Sequence, residues 1–434
     1  MTTLAALVDG PLPGMRALRR EVAHAAWSPD GAWLAVADVP DADGRAEVRV
    51  LDPTDGREAL CIPGREVLGV VFASSEHLLV VRAQELGARA VLHAVPDGAA
   101  LATAPLANVP RVAVQLSRSA TRHPDECAAR VFVMPSRWPG GLRQGMRQRA
   151  GWVLALPSLD VVSRFEPDAW TALPRLPNVR AAAAVLAPDG DALAVWLESP
   201  GHAEPGSLWL QPADGGPPRR VCAVGRTVGD IVYAGPDRVL LRSADGPDTF
   251  AVVDLAARAP ELDLSFAPGA AFAALGAVAL HPDAHVAVVP GAALRDGVDA
   301  DDAPPAFTVL DLDARAVARP AHVFAGRRAV GVSAAFTGDG HTVATLVGAA
   351  PRRVRIALHD ALDDAPWSAA TPSWTLPLDG TKPSSARLAR APDPIGLCVT
   401  WDVDAPRAPR GLPLPRAKRM AWIPREVVLS AVRR

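Results

Sequence analysis

Residues 23–39 read AHAAWSPDGAWLAVADV, and this stretch decides the fold. Pro29 pre-sets the φ angle of a tight turn, Asp30 can accept hydrogen bonds from the backbone that follows, and Gly31 tolerates positive φ. An apolar run lies on each side of the turn, as in two adjacent antiparallel strands with a buried face. The pattern recurs as AAAAVLAPDGDALAVWLES (181–199), GDIVYAGPDRVLLRS (229–243), GAVALHPDAHVAVVP (276–290) and SAAFTGDGHTVATLVG (333–348). Looser copies are GVVFASSEHLLVVRA (69–83), RHPDECAARVFVMPS (122–136) and ARAPDPIGLCVTWDV (389–403).

The acidic turn residues serve as anchors: Asp30, Glu76, Asp125, Asp189, Asp237, Asp283, Asp339 and Asp393. They stand 46 to 64 residues apart. A third apolar segment follows each pair, for example AEVRVLD, GWVLALP, SLWLQPA or KRMAWIP. A short fourth strand then fits, such as EALCI, VVSRF, RRVCAV or EVVLSAV. Four strands per unit of roughly 50 residues is the period of β-propeller blades.

The Ser28-Pro29-Asp30-Gly31 turn, with Ala187-Pro188-Asp189-Gly190 as a near match, resembles the WD-repeat-like propellers of the TolB type. Asp237, Asp283 and Asp393 follow a Pro without the Gly, Gly338-Asp339-Gly340 lacks the Pro, and the Trp-Asp dipeptide of WD repeats is missing from its strand end. The resemblance covers about residues 22 to 432 and implies an all-β chain forming a single closed propeller of four-stranded blades. Eight anchors favour eight blades, with seven as the fallback. Residues 1–21 read as an N-terminal arm, and 22–434 as the propeller, with a basic insertion loop at 137–151. Apolar residues flanking the turns, among them Trp27, Val36, Phe72, Leu79, Val133, Val185, Val195, Val286, Phe336 and Val399, are the expected core.

Composition narrows the function classes. The chain has 434 residues and 45 basic against 47 acidic groups, so no global field marks a nucleic-acid or membrane-surface protein. Only Lys382 and Lys418 are lysines, a skew that with the many alanines reads as codon bias. Cys61, Cys127, Cys222 and Cys398 are far apart and form no CxxC pair, which reads as isolated buried thiols in a reducing compartment. No secretory leader is expected, and the chain is read as cytoplasmic. Leu264 to Pro282 carries no charged residue, but its Pro and Gly content and its register with the repeat argue against a membrane helix.

Catalytic motifs are sparse. There is no GxxxxGK[ST] loop, no GxGxxG after a strand and no GxSxG elbow, and the repeats leave no room for a hydrolase domain. The repeated Asp residues read as turn formers rather than ligands. His281 and His285 flank a Pro-Asp turn and read as blade-edge residues rather than a zinc pair. Asp296, Asp299, Asp301 and Asp302 lack the spacing of a calcium loop and read as solvated. No catalytic residue, metal or cofactor is expected.

Two basic segments stand out. The insertion Arg137–Trp152 carries Arg137, Trp138, Arg143, Arg147 and Arg149; its glycines and mutually repelling arginines predict a loop that is mobile, or ordered by a partner or a processing protease. The C-terminal stretch holds Arg416, Lys418 and Arg419, which ring closure would bring near Arg16, Arg19 and Arg20. The resulting expectation is a non-catalytic scaffold for protein–protein contacts within a larger, bacterial assembly. Its alternatives are a metal-dependent propeller hydrolase or lactonase, and a regulatory propeller that is a protease target or a nucleic-acid-associated subunit.

Overall fold

A computed structural model describes residues 7–9, 15–85, 87–107, 112–117, 127–135, 151–166, 180–198, 206–224, 228–243, 250–256, 272–283, 285–294, 302–323, 331–338, 340–350, 352–360, 373–378, 385–392, 396–403 and 417–432. Among them are thirty-three strands and one helix. After β1 (Leu7–Asp9) and β2 (Arg16–Leu18), the strands form successive antiparallel meanders. The first is β3 (Val22–Trp27), β4 (Leu34–Asp38), β5 (Val48–Leu51) and β6 (Glu58–Ile62). The second is β7 (Val67–Ser74), β8 (His77–Gln84), β9 (Gly87–Ala94) and β10 (Ala100–Ala107), and the third β11 (Val112–Leu116), β12 (Arg130–Pro135), β13 (Gly151–Ala155) and β14 (Val161–Phe165). The fourth is β15 (Arg180–Leu186), β16 (Ala192–Glu198), β17 (Gly206–Pro212) and β18 (Arg219–Val224); the fifth shows β19 (Val228–Tyr233), β20 (Arg238–Ser243) and β21 (Phe250–Asp254). In the sixth, β22 (Phe272–Ala274) and β23 (Ala279–Leu280) share the edge of β24 (Val286–Ala293), followed by β25 (Pro305–Asp311) and β26 (Ala316–Val323). The seventh is β27 (Ser333–Phe336), β28 (Thr342–Ala350), β29 (Arg353–Asp360) and β30 (Ser373–Pro377). Last come β31 (Arg387–Arg390), β32 (Leu397–Asp402) and β33 (Lys418–Ile423), then α1 (Arg425–Val432).

The fourth strands EALCI, VVSRF and RRVCAV fall where the sequence predicts. EVVLSAV does not: it is helical. Pro424 pre-forms the first turn, and its carbonyl accepts from the Val427 and Val428 amides at 3.0 and 3.1 Å. The strand position it would have filled is already occupied. β33 pairs with β32 on one side and with β2 on the other, Arg16 opposite Trp422 and Ala17 opposite Ala421. A single Val22–Lys418 pairing then joins this last meander to the first in one nine-stranded sheet.

All eight anchors lie in sequence between the first and second strands of antiparallel meanders. Asp30, Glu76, Asp189, Asp237 and Asp283 sit in turns or bends; Asp125, Asp339 and Asp393 lie outside the described residues. Four of the turns share one closure, in which the residue before the turn donates its amide to the carbonyl five residues on: Ser28 to Trp33, Ala187 to Ala192, His281 to Val286 and Thr337 to Thr342; the Asp237 turn closes over four, Ala234 to Arg238.

Contacts divide the chain into two compact units: Met1–Asp41 with Arg49–Ala59 and Phe266–Arg434, and Ala42–Val48 with Leu60–Ser265. In each, the core lies between the faces of consecutive sheets. In the second unit one cluster joins the second and third meanders through Leu79, Leu92, Val131 and Leu154, another joins the third and fourth through Phe132, Phe165 and Val195, and a further one joins the fourth and fifth through Trp196, Leu208 and Leu241. In the first unit Phe307, Phe336 and Val343 join the sixth and seventh meanders, and Leu346, Ile356, Leu397 and Ile423 the seventh and last, with Val428 of α1 packed on them. Fully burying one such aliphatic side chain stabilises by about 1.5–3 kcal/mol. Polar links cross the same gaps: Gln115 Oε1 accepts the Leu186 amide at 3.0 Å, Arg219 donates to the Leu255 carbonyl at 2.6 Å, and Ser333 Oγ accepts the Leu388 amide at 3.1 Å.

Val36, Phe72, Leu79, Val133, Val195, Phe336 and Val399 are buried, while Trp27, Val185 and Val286 are half-buried against their clusters. Of the four free thiols, Cys222 and Cys398 are buried as expected, but Cys127 is only half-buried and Cys61 is exposed at the outer strand β6. The described part of Leu264–Pro282 contains β22 and β23, and no helix among the described residues is long and apolar enough to cross a membrane.

Candidate functional site

The second unit carries an open groove of about 610 Å³ lined by Ile62, Pro63, Arg65, Arg82, Ala83, Gln84, Glu85, Arg89, Val91 and His93. Pro63-Gly64 ends β6 and turns the chain toward β7, and Arg82 near the end of β8 reaches across to hold that turn. Its guanidinium donates to the carbonyls of Ile62 at 2.7 Å, Ala46 at 3.1 Å and Arg65. Gly64 admits it: a Cβ there would lie 2.8 Å from Arg82 Cζ. Burial lowers the Arg82 pKa, with the nearby Cys61 opposing, yet an arginine so placed stays charged at neutral pH. Among the described residues no carboxylate pairs with it.

Arg89 and Arg65 are exposed at the rim. In the orientation that satisfies both ends of the Gln84 amide, its oxygen accepts from Arg89 Nε at 2.9 Å and Nη2 at 3.2 Å. Arg65 approaches Glu85 at 3.8 Å, but both are more than half exposed, so the pair contributes little. His93 is buried, and its Nδ1–H faces the Gly98 carbonyl at 3.1 Å. Burial above all pushes its pKa down, Arg82 adds to this and the Gly98 bond opposes it, so the ring is neutral at pH 7. Three guanidinium groups therefore face one carboxylate on a floor that includes Ile62, Pro63, Ala83 and Val91. Such a surface suits carboxylate or phosphate groups, which match the arginine fork.

The repeat turns use their acids differently. Asp30 Oδ1 accepts from Ser28 Oγ at 2.6 Å and from the Ala32 amide at 3.0 Å, and Asp189 Oδ1 accepts from the Asp191 amide at 2.9 Å. These carboxylates are turn formers, as the sequence predicts. In the sixth meander the turn is His281-Pro282-Asp283-Ala284-His285, and there the side chains gather. The two imidazole centroids are 4.3 Å apart, His281 Nδ1 is 3.9 Å from Asp283 Oδ2, and one donor atom from each of the three residues lies within 4.8 Å of the others. This is the set among the described residues that could hold a metal ion.

Of the sequence-predicted site residues, Arg137, Trp138, Arg143, Arg147, Arg149 and Arg416 lie outside the described residues. Lys418 and Arg419 open β33, both half-buried. Arg419 Nε is 4.0 Å from Glu21 and Arg20 is 3.9 Å from Asp38, so acids sit among these bases. Sequence reasoning missed the groove, because Arg65, Arg82 and Arg89 belong to separate segments. The one trace is an arginine ending the otherwise apolar run HLLVVRA.

A scan of protein-family models gives no match, and no curated protein matches in sequence. Solved structures do match in fold. The C-terminal WD40 domain of Sif2 aligns with a TM-score of 0.54 at 11% identity, over 93% of this chain and 96% of that one. A eukaryotic initiation factor aligns with a TM-score of 0.52 at 11% identity, over 96% and 90%. The fold is a β-propeller fold. The four-stranded meanders are its blades, the inter-sheet clusters are the packing of blade on blade, and the cationic groove lies on the second blade where the first one's outer strand ends.

Proposed function

We propose that the chain is a non-catalytic propeller scaffold that binds protein partners within a larger bacterial, cytoplasmic assembly. The observation that carries this reading is the groove beside Arg82: three guanidinium groups and an apolar floor on a sheet-built frame. Propeller faces and edges present many loops on a stiff support, which suits recruitment. In this reading the repeats are of the TolB type and close into one ring of eight blades, for which the eight anchors between first and second strands speak. Residues 137–151 then form a second docking or processing segment within a blade, and Arg416, Lys418 and Arg419 a basic edge beside the first blade.

The test is the native size of the protein. Tagged at its own locus and gently released, the chain should elute in a complex well above its own 45.3 kDa. Arg65→Ala/Arg89→Ala, both at exposed positions, should fold normally and release a partner. Elution of the intact chain as a monomer would remove the scaffold reading. A complex unchanged by the double variant would leave the scaffold and remove the groove as its seat.

A further inference from the structure

We infer that the groove beside Arg82 takes a phosphate monoester carried on an extended segment of a partner protein, a phosphoserine or phosphothreonine side chain, with an apolar residue of that segment on the groove's floor. This rests on the scaffold reading and names the chemistry of its partner.

Arg82 supplies charge rather than contact. Its bonds to the Ile62, Ala46 and Arg65 carbonyls use three of the five N–H donors of a guanidinium and pin the group against Gly64. Carbonyls satisfy hydrogen bonds but bring no countercharge, so a fixed positive charge sits in the wall of the groove. The donors that reach a ligand belong to the exposed rim. Among the described residues Arg65 has only the 3.8 Å approach of Glu85, whose side chain is 84% exposed. Arg89 turns Nε and Nη2 to the Gln84 oxygen, a neutral acceptor at an exposed position, and keeps Nη1 for a ligand. Exchanging a neutral acceptor for an ionised one roughly doubles the strength of such a bond.

The turn itself adds like charge. The Ala46 amide donates to the Gly64 carbonyl and the Glu66 amide to that of Gly44, both at 2.9 Å, which makes Arg45 and Arg65 a directly opposed, non-hydrogen-bonded antiparallel pair. In such a pair the Cα atoms approach to about 4.5 Å and the two side chains rise from one face. Like charges so opposed are destabilising, and an anion beside them is correspondingly favoured.

Charge then selects the group. The lining carries three guanidinium groups and one carboxylate, with His93 neutral. One carboxylate from a partner leaves positive charge over, and adjacent acids of an extended segment point to opposite faces, so only one of them meets the rim. A phosphate monoester brings about −1.5 to −2 charges at pH 7 and three acceptor oxygens on a single side chain. It can accept from two arginine forks at once. Ile62, Pro63 and Val91 offer apolar surface to a neighbouring residue, and the open groove lets the segment run on past it.

A peptide library with a central phosphoserine and randomised flanks would be passed over the immobilised full-length chain, and the retained sequences measured by fluorescence anisotropy. Phosphopeptides with an aliphatic residue near the phosphoserine should be retained. The same peptides with serine should lose binding, and with glutamate should bind at least tenfold more weakly. Arg65→Ala/Arg89→Ala should weaken binding at least tenfold with the circular dichroism unchanged. Arg65→Lys/Arg89→Lys should weaken it as well, because an ammonium lacks the fork. Arg57→Ala, at an exposed turn outside the groove, should change nothing. Retention of no phosphopeptide would overturn the inference, as would equal binding of the glutamate peptides or an affinity that survives either double variant. Phenyl phosphate binding as tightly as the peptides would make this a site for small phosphates and overturn the partner assignment. The two readings fail separately: a monomeric native chain removes the scaffold, whereas a native complex beside a library with no retained phosphopeptide removes the phosphate alone.

Discussion

Cys398 and Cys222 illustrate how a single buried group ties this fold to pH. Both thiols lie inside apolar clusters, and burial pushes them up, to about 12 for Cys398 and about 11 for Cys222, against an ordinary value near 9. For an acid whose folded pKa is raised, the folded state favours the protonated form. The resulting stability is fully present below the unfolded pKa and drains away as pH climbs toward the folded one. Unfolding free energy from urea melts should therefore hold up to about pH 8.5 and decline between about 9 and 11. Cys398→Ala should flatten part of that decline; an unchanged slope would place the alkaline loss elsewhere. In native protein at pH 8, a thiol reagent should modify exposed Cys61 far faster than either buried thiol.

At the scale of elements, β2 is a short strand with a large role. It covers the edge of β33, and with Met15 and Leu18 it closes the apolar clusters of the last and first blades. Deleting residues 1–18 should strip protection from the β33 amides in hydrogen exchange and lower the thermal midpoint, while β7–β18 keep their protection. Full protection of β33 in the truncated chain would show that β2 is dispensable. This strand also marks a limit of sequence reading. Turns such as Ser28-Pro29-Asp30-Gly31 announce themselves locally, so first, second and third strands were legible, as was burial at Leu79 or Val195. The partner of β33 was not, because EVVLSAV and the β2 segment are both short and apolar enough to pair, and only three-dimensional proximity decides. The groove stayed hidden for the same reason: Arg82 meets the turn after β6, and so lines the groove, only when β6 and β8 come together. His281 and His285 were visible as a pair, but their distance from Asp283 depends on the turn's conformation.

For the whole molecule, near-neutral net charge conceals local asymmetry. A groove with three arginines and one glutamate attracts acidic groups mainly through exposed Arg65 and Arg89, so partner capture should weaken with added salt. Between 50 and 500 mM salt the screening length falls from roughly 14 to 4 Å. Retention unaffected over that range would indicate that apolar contacts dominate the interface. The sheet shared by the two ends of the chain has a further consequence, in time rather than space. Arg16 cannot meet Trp422 until the ribosome has made both, and at roughly 5–20 residues per second the wait lasts on the order of 20 to 80 s. During that interval the first blade stands without its neighbour across Val22 and Lys418, and the cluster around Leu18 lacks Cys398, Met420 and Trp422. A nascent chain stalled before residue 418 should accordingly recruit chaperones that the finished protein does not need.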